Sequence, residues 1–370
     1  MSKAAELANL IGNINAGGGG VNRNIVINGA MMIAQRGTQT NQTSGYTACD
    51  RWNFAENGSV VVTTSQDTDV PSGQGFANSL KIDVTNASGT LSSGNYALVR
   101  TKFEGQNLQH LLYGTNSAKP LTLSFWVKSP KTGTHVVQLT HSDAGYYNSI
   151  IYTINSANTW EHKSVTFVGY QNTAFDNDRE NSLQVYWWLM KYDEGTLTEN
   201  TWHNTSANQA SGQVNTMDNT SNNFYLTGVQ LEVGQNPTEF EHRPIDQEFH
   251  RCLRYFEKLQ NTDSTTTQEL GTGSSNLGGG IWYGAGQVIG GFDYKVTKRA
   301  TPTIACDDNQ GIKCYTGQAS RTVNDSNMFD IIRVSDCRLN LGNFNINGTQ
   351  GYGTWVLINT DNFITIDAEL

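Results

Sequence analysis

Acid–base chemistry needs side chains that converge, and in this sequence the candidates are dispersed. The densest carboxylate run is Asp176-Asn177-Asp178-Arg179-Glu180. Two carboxylates a few ångströms apart suffice to hydrolyse a glycosidic bond, and they need not be neighbours in the chain. The run reads as a solvated acidic turn. The alternatives are a calcium site, which requires six or more oxygens from a shaped loop, and a catalytic acid. The seven histidines, His110, His135, His141, His162, His203, His242 and His250, are scattered. None stands at ligand spacing from another His or a Cys, although His135 and His141 could meet across a hairpin, so no metal site is expected. Cys49, Cys252, Cys306, Cys314 and Cys337 form an odd set without metal-type spacing. They read as buried thiols of a chain folded in a reducing cytosol. No Gly-x-Ser-x-Gly elbow, His-Glu-x-x-His motif, P-loop or dinucleotide fingerprint occurs. Gly17 to Gly20 follow a helical pattern, not a strand, so they do not cradle a pyrophosphate. The expectation is a protein with no catalytic residues, no metal and no cofactor.

Aromatic side chains carry more information. They concentrate at Tyr146-Tyr147, Tyr186-Trp187-Trp188, Trp202 and Trp282-Tyr283. Neighbouring residues of a strand point to opposite faces, so Trp187 and Trp188 cannot both enter the core of a one-sided sheet. One of them belongs on the outer face, at a subunit contact or in a groove. Trp52, Phe125 and Trp126 read as core. Exposed aromatics beside Asn, Asp and Gln can stack on sugar rings while the polar groups bond the hydroxyls. The candidates for that role are Trp202, in an Asn-rich loop, with Tyr146, Tyr147 and Trp188.

The elements that must hold these residues are strands. The 370-residue chain is too long for one ordinary core and fits two domains. It is 37% hydrophobic and only 15% charged, with 8 Trp, 15 Tyr and 14 Phe. Uncharged polar residues with many stiff aromatics favour strands joined by turns over helices or disorder. In residues 21–244 about ten short strands separated by Gly, Asn, Ser and Asp clusters suggest two stacked antiparallel sheets. Residues 24–28 form the first of them, and residues 194–222 form a long surface loop. Residues 244–258 switch to helical spacing, with Asp246 as N-cap and Phe249, Cys252, Leu253 and Phe256 on one face. Residues 245–270 are thus read as a connecting helix and linker, and residues 271–370 as a smaller β-domain. At the start, Leu7, Leu10, Ile11 and Ile14 line one face of a short helix. About three turns are not stable alone in water, so residues 1–20, ending in the Gly17–Gly20 hinge, read as an attachment segment that docks on another protein or on copies of itself. The net charge of -9 argues against nucleic acid. No signal peptide and no membrane-spanning run is read.

Three blocks add a resemblance. The first is Arg23-Asn24-Ile25-Val26-Ile27-Asn28-Gly29-Ala30-Met31, with Ala34-Gln35-Arg36-Gly37 and Asp50-Arg51-Trp52. The second is residues 224–234 with Thr238-Glu239-Phe240-Glu241-His242-Arg243-Pro244 and Cys252-Leu253-Arg254-Tyr255-Phe256. The third is Arg299-Ala300-Thr301-Pro302-Thr303 with the terminal Asp367-Ala368-Glu369-Leu370. Together they resemble a family of phage tail-fibre and virion appendage proteins of marine and cyanobacterial phages. The resemblance implies an all-β fold whose first domain is a jelly-roll-like antiparallel β-sandwich, similar to sugar-binding modules. It implies a virion protein assembled in the host cytoplasm, homotrimeric, fixed to another virion structural protein through its N-terminus and displaying a site for a host surface glycan. A head-attached fibre or capsid decoration protein is the second reading, and a virion-associated glycan depolymerase the third. No catalytic residue is implied.

Overall fold

The computed structural model describes residues 3–6, 22–192, 197–204, 210–260, 275–284, 287–307, 312–315, 320–322, 329–341, 350–358 and 363–370. Alternation of apolar and polar side chains sets its strands. Ser79–Asn86 buries Leu80, Ile82 and Val84 and turns Lys81 and Asp83 outward, the period-two pattern of a strand with one wet face. The chain divides into two compact units, Met1–Glu248 with Leu370, and Phe249–Glu369.

The first unit is a jelly-roll-like sandwich of two six-stranded sheets. Its strands are β1 (Gln39–Gln42), β2 (Gly45–Tyr46), β3 (Asn53–Asn57), β4 (Val61–Asp67), β5 (Ser79–Asn86), β6 (Tyr96–Glu104), β7 (Leu121–Lys128), β8 (Gly133–His141), β9 (Tyr146–Ile154), β10 (Glu161–Phe167), β11 (Asn181–Lys191) and β12 (Asn223–Val233). One sheet runs β1-β4-β5-β12-β7-β10 and the other β2-β3-β6-β11-β8-β9. Trp52, Phe54, Leu80, Phe125, Phe167, Trp187 and Phe224 fill the space between them. The short strands β1, β2 and β3 were not legible in the sequence, because their apolar alternation is too brief to register.

Residues 24–28 are not a regular strand, since the chain bends at Ile27 and Asn28 and Asn28 takes a φ of 59°. They lie along β12, where Ile25 N–H donates to Leu231 O at 2.8 Å and Val229 N–H to Gly29 O at 2.9 Å. Asn24 replaces part of the missing ladder: its Nδ2 donates to Val229 O at 2.9 Å, and its Oδ1 accepts from Val26 N and Leu231 N. A Cβ at Gly29 would stand 2.2 Å from Val229 O, so only glycine permits this approach. Arg243 clasps the segment. Its guanidinium donates to the carbonyls of Val26 and Asn24 and pairs with Glu241 and Glu248 at 3.2 Å each. Burial alone would raise the Glu241 carboxyl, but the amides of Asn22, Arg23 and Asn24 and the Arg243 charge outweigh it and hold the carboxyl below its usual range. That contribution to stability is therefore present above the ordinary carboxylate range and is lost on acidification through the folded-state value.

The second unit is also β. A three-stranded sheet, β13-β22-β16, is formed by β13 (Phe256–Gln260), β16 (Thr303–Cys306) and β22 (Phe363–Asp367). A seven-stranded sheet runs β18-β17-β21-β14-β15-β20-β19. Its members are β14 (Ser275–Gly284), β15 (Gln287–Asp293), β17 (Ile312–Tyr315), β18 (Ser320–Thr322), β19 (Phe329–Ile332), β20 (Asp336–Leu341) and β21 (Gly353–Ile358). Trp282, Val288, Val356, Ile364 and Ile366 share its core. The helix spans Ile245–Leu253, shorter than its sequence suggests. Residues 256–260 are not connector but strand β13, because Phe256 and Glu257 are buried and the whole stretch pairs with β22. Most of the expected linker, and Leu7, Leu10, Ile11, Ile14 and Gly17 to Gly20 of the expected attachment segment, lie outside the described residues. Lys3 to Glu6 are helical. No helix among the described residues is long and apolar enough to cross a membrane.

Arg243 is almost wholly buried, so replacing it with Ala takes a cationic partner from two carboxylates that then keep only backbone amides. The expected loss of stability is about 3–5 kcal/mol, measured by chemical denaturation followed by tryptophan fluorescence. A loss under about 1 kcal/mol would show that the clasp is dispensable.

Candidate functional site

The four candidate aromatics occupy three different places. Trp188 and its neighbour Trp187 divide between the faces of β11. Trp187 enters the sandwich, 5.5 Å from the rings of Trp52 and Phe125. Trp188 points to the outer face, as one of the pair must, but it is only 6% exposed. It packs with Leu98, Val136, Tyr186 and Ala210, and its indole N–H donates to Gln138 Oε1 at 3.1 Å. The chain after β11 returns across this face, anchored by the bridges Tyr147↔His203 and Thr134↔Gln213. Both faces of β11 are thereby covered, and Trp188 offers no open ring to a ligand.

Tyr147 is half-buried on the same outer face and is tied through its backbone to His203 at 2.9 and 3.0 Å. Trp126, expected in the core, is half-buried and faces outward from β7, its ring 5.2 Å from that of His162. The alternation that buries Phe125 and Val127 turns Trp126 away.

Trp202 and Tyr146 come together. Both are half-buried and rest on the edge of the main core. Tyr170 lies between them, 5.0 Å from Tyr146 and 5.2 Å from Trp202. Beneath, Tyr113 stands 6.1 Å from Trp202 and stacks on Phe175 at 4.8 Å, and Phe175 stacks on His141 at 4.3 Å. The elements that converge are the β8–β9 turn, the chain following β10 and the segment 197–204. They meet at the side of the sandwich where β9 and β10 are the edge strands. Sequence placed Trp202 in a loop, but Tyr170, Tyr113 and Phe175 were missed, because they lie in irregular connections with no periodicity to mark them.

Polar groups fix the rings. The Trp202 indole N–H donates to Val168 O at 2.8 Å. Asn200 Oδ1 accepts from Val168 N at 3.0 Å and from Asn148 Nδ2 at 3.3 Å. The Tyr170 hydroxyl bonds to Asn172, Thr173 and Tyr146, and burial is the main cause that raises its pKa. Asn172, Thr173, Asp143 and Asp176 are exposed around the rings. Burial holds the His141 imidazole below its ordinary pKa. Its Nδ1 accepts from Ala144 N at 3.4 Å, so its Nε2 carries the proton donated to Thr173 O at 3.1 Å. With both ring nitrogens hydrogen-bonded, His141 supports the platform. His135 and His141 do not meet across a hairpin, since both lie on β8; His135 stacks on Tyr152.

The acidic run is a turn tied to residues 105–106 and closed by the Asp178 side chain. Asp178 O accepts from Gln106 N at 2.8 Å and Asp178 Oδ1 from Glu180 N at 2.9 Å. Among the described residues no group of three or more His, Cys, Asp or Glu could hold a metal ion. None of the five thiols is in a disulfide.

No protein-family model matches the chain, and no curated protein matches it. Solved structures similar to it include the enzymatically active domain of tailspike protein 4 of bacteriophage CBA120, at 15% identity and a TM-score of 0.31; the match covers 57% of this chain and 21% of that one. A family 11 carbohydrate-binding module from Clostridium thermocellum, in complex with a β-1,3-1,4-mixed-linked tetrasaccharide, is 12% identical, with 55% and 98% covered and a TM-score of 0.27. TmCBM61 in complex with β-1,4-galactotriose is 8% identical, with 58% and 99% covered and a TM-score of 0.28.

The platform separates support from surface. Replacing Phe175, 5% exposed between Tyr113 and His141, with Ala should cost about 3–5 kcal/mol of stability. The partly buried Tyr146, at the rim of the platform, should cost less on replacement by Ala, about 1 kcal/mol. Equal losses in thermal denaturation would contradict this division.

Proposed function

We propose that the chain is a non-catalytic glycan-binding protein of a phage particle, a tail fibre that attaches to the host surface through sugars. The observation that carries the glycan reading is the partly buried pair Trp202 and Tyr146 seated on Tyr170 and rimmed by exposed Asn172, Thr173, Asp143 and Asp176. Sugar rings have an apolar C–H face and an edge of hydroxyls, and this surface offers rigid rings for the one and amide, hydroxyl and carboxylate groups for the other. The rings are immobilised before any ligand arrives, which limits the entropy lost on binding. The phage reading rests on the three sequence blocks, of which residues of the first two hold residues 22–29 along β12. A trimer would compensate for weak single contacts by multivalence.

Purified chain titrated with host-surface polysaccharide should bind, and Trp202→Ala should weaken binding about tenfold or more, as expected for removal of a central aromatic anchor. Unchanged binding in that variant would refute the site. New reducing ends released from the polysaccharide would replace the binding reading with a depolymerase. Antibody labelling of intact particles should mark the tail; labelling of the head would overturn the tail-fibre assignment in favour of a head fibre or decoration protein.

A further inference from the structure

The second unit carries large apolar side chains that its own core does not use. Ile281, Tyr283, Tyr352 and Trp355 are 51%, 59%, 68% and 53% exposed. Register places three of them on one face of the seven-stranded sheet. Gly279 pairs with Trp355 and Ile281 with Gly353 across β14 and β21, while Ile281 pairs with Ile289 and Gly280 with Gly290 across β14 and β15. Directly opposed residues share a face, and residues two apart along a strand do too. Ile281, Tyr283 and Trp355 therefore stand on the same side as Gly279, Gly291 and Asp293. Trp282, Val288 and Val356 point the other way into the core. Gly280 marks that inner side, since a Cβ there would stand 2.8 Å from Val288 and 3.2 Å from Val356. A Cβ at Gly279 meets nothing within 4 Å.

The outer face thus has a bare floor two strands wide, formed by Gly279 and Gly291, with the Trp355 indole along one side. Two inter-strand spacings make that floor roughly 10 Å across. At β15 and β20 a cavity of about 360 Å³ is lined by Gly291, Asp293, Arg333 and Asp336 and also by Gly290, Phe292 and Cys337, whose register places them on the core-facing side. Arg333 Nη1 stands 3.4 Å from Asp336 Oδ2, with its own side chain 64% exposed. Asp293 and Asp336 are directly opposed across β15 and β20.

We propose that this trough is a second carbohydrate site, taking a neutral oligosaccharide whose ring lies flat on the glycine floor against Trp355 and whose hydroxyls bond Asp293, Asp336 and Arg333. Within the cavity two carboxylates stand with one guanidinium, and Arg338 holds the register position opposite Gly291 beside the floor. A second copy of the chain fits less well. Closing a protein surface over this face would strip water from all three charged groups. Hydroxyls replace that water group for group. The site is built from residues of the second unit alone and does not depend on the Trp202 platform.

The test uses the full chain with cello-, manno- and galacto-oligosaccharides and dextran as probes. Trp355→Ala should lower the affinity for at least one neutral probe about tenfold. Gly279→Val, which fills the floor without touching Trp355, should do the same, and its thermal unfolding should match the parent. Trp202→Ala should leave that binding intact. Neutral-sugar binding unchanged in both Trp355→Ala and Gly279→Val overturns the proposal. Loss only in Trp202→Ala also overturns it while sustaining the first site; loss only in the two trough variants sustains it while removing the first. A fall in solution mass on Trp355→Ala, with sugar binding unchanged, would make the face a contact between copies and overturns the proposal as well.

Discussion

The first unit depends on closing a sandwich with pieces of chain far apart in sequence. Arg243 binds the carbonyl of Asn24 across 219 positions, and the loop closed by that contact must be stabilised by what it joins. Without the clasp, the end of β12 beyond Leu226, where its pairing with β5 stops, would face water on one side. Asn24 and Gly29 complete the seal, one by supplying side-chain hydrogen bonds where the ladder fails and the other by having no side chain at all. The same region then positions Asn28, whose carbonyl accepts the Trp52 indole N–H at 3.1 Å, so the clasp reaches the aromatic centre of the core.

That centre constrains where a ligand can bind. Trp187, Trp52 and Phe125 fill the interior, and the returning chain covers the outer face of β11. One place that stays accessible is the flank of the sandwich where β9 and β10 are the edge strands. Aromatics that cannot enter the core collect there, packed edge to face upon one another. Buried Phe175 and Tyr113 make the platform rigid, and half-buried Tyr146 and Trp202 make it usable. The second unit reaches an exposed aromatic face differently, through glycines that remove side chains from a strand pair.

Much of this was legible in the sequence. Alternation in residues 79–84, turn clusters and the scarcity of charge gave the all-β class and the sandwich. Trp202 and Tyr146 stood out by type and setting. Three features escaped. The Tyr-Trp-Trp run required one ring outside, and the structure agrees, but the cover over that ring comes from chain distant in sequence, so exposure did not follow from orientation. Trp126 was assigned to the core by its size, whereas its parity on β7 directs it outward. The helix pattern of residues 244–258 continued past its true end because Phe256 fits a helical face as well as it fits strand β13. In each case tertiary pairing overrode a local signal.

The claim at the centre is that a saccharide sits on the Trp202 platform. The indole N–H resonances of the eight tryptophans report on it directly in a titration of the isotopically labelled chain with the polysaccharide it binds. The Trp202 resonance should shift saturably while those of buried Trp52 and Trp187 stay fixed. A Trp202 signal that does not move at saturation would contradict the claim.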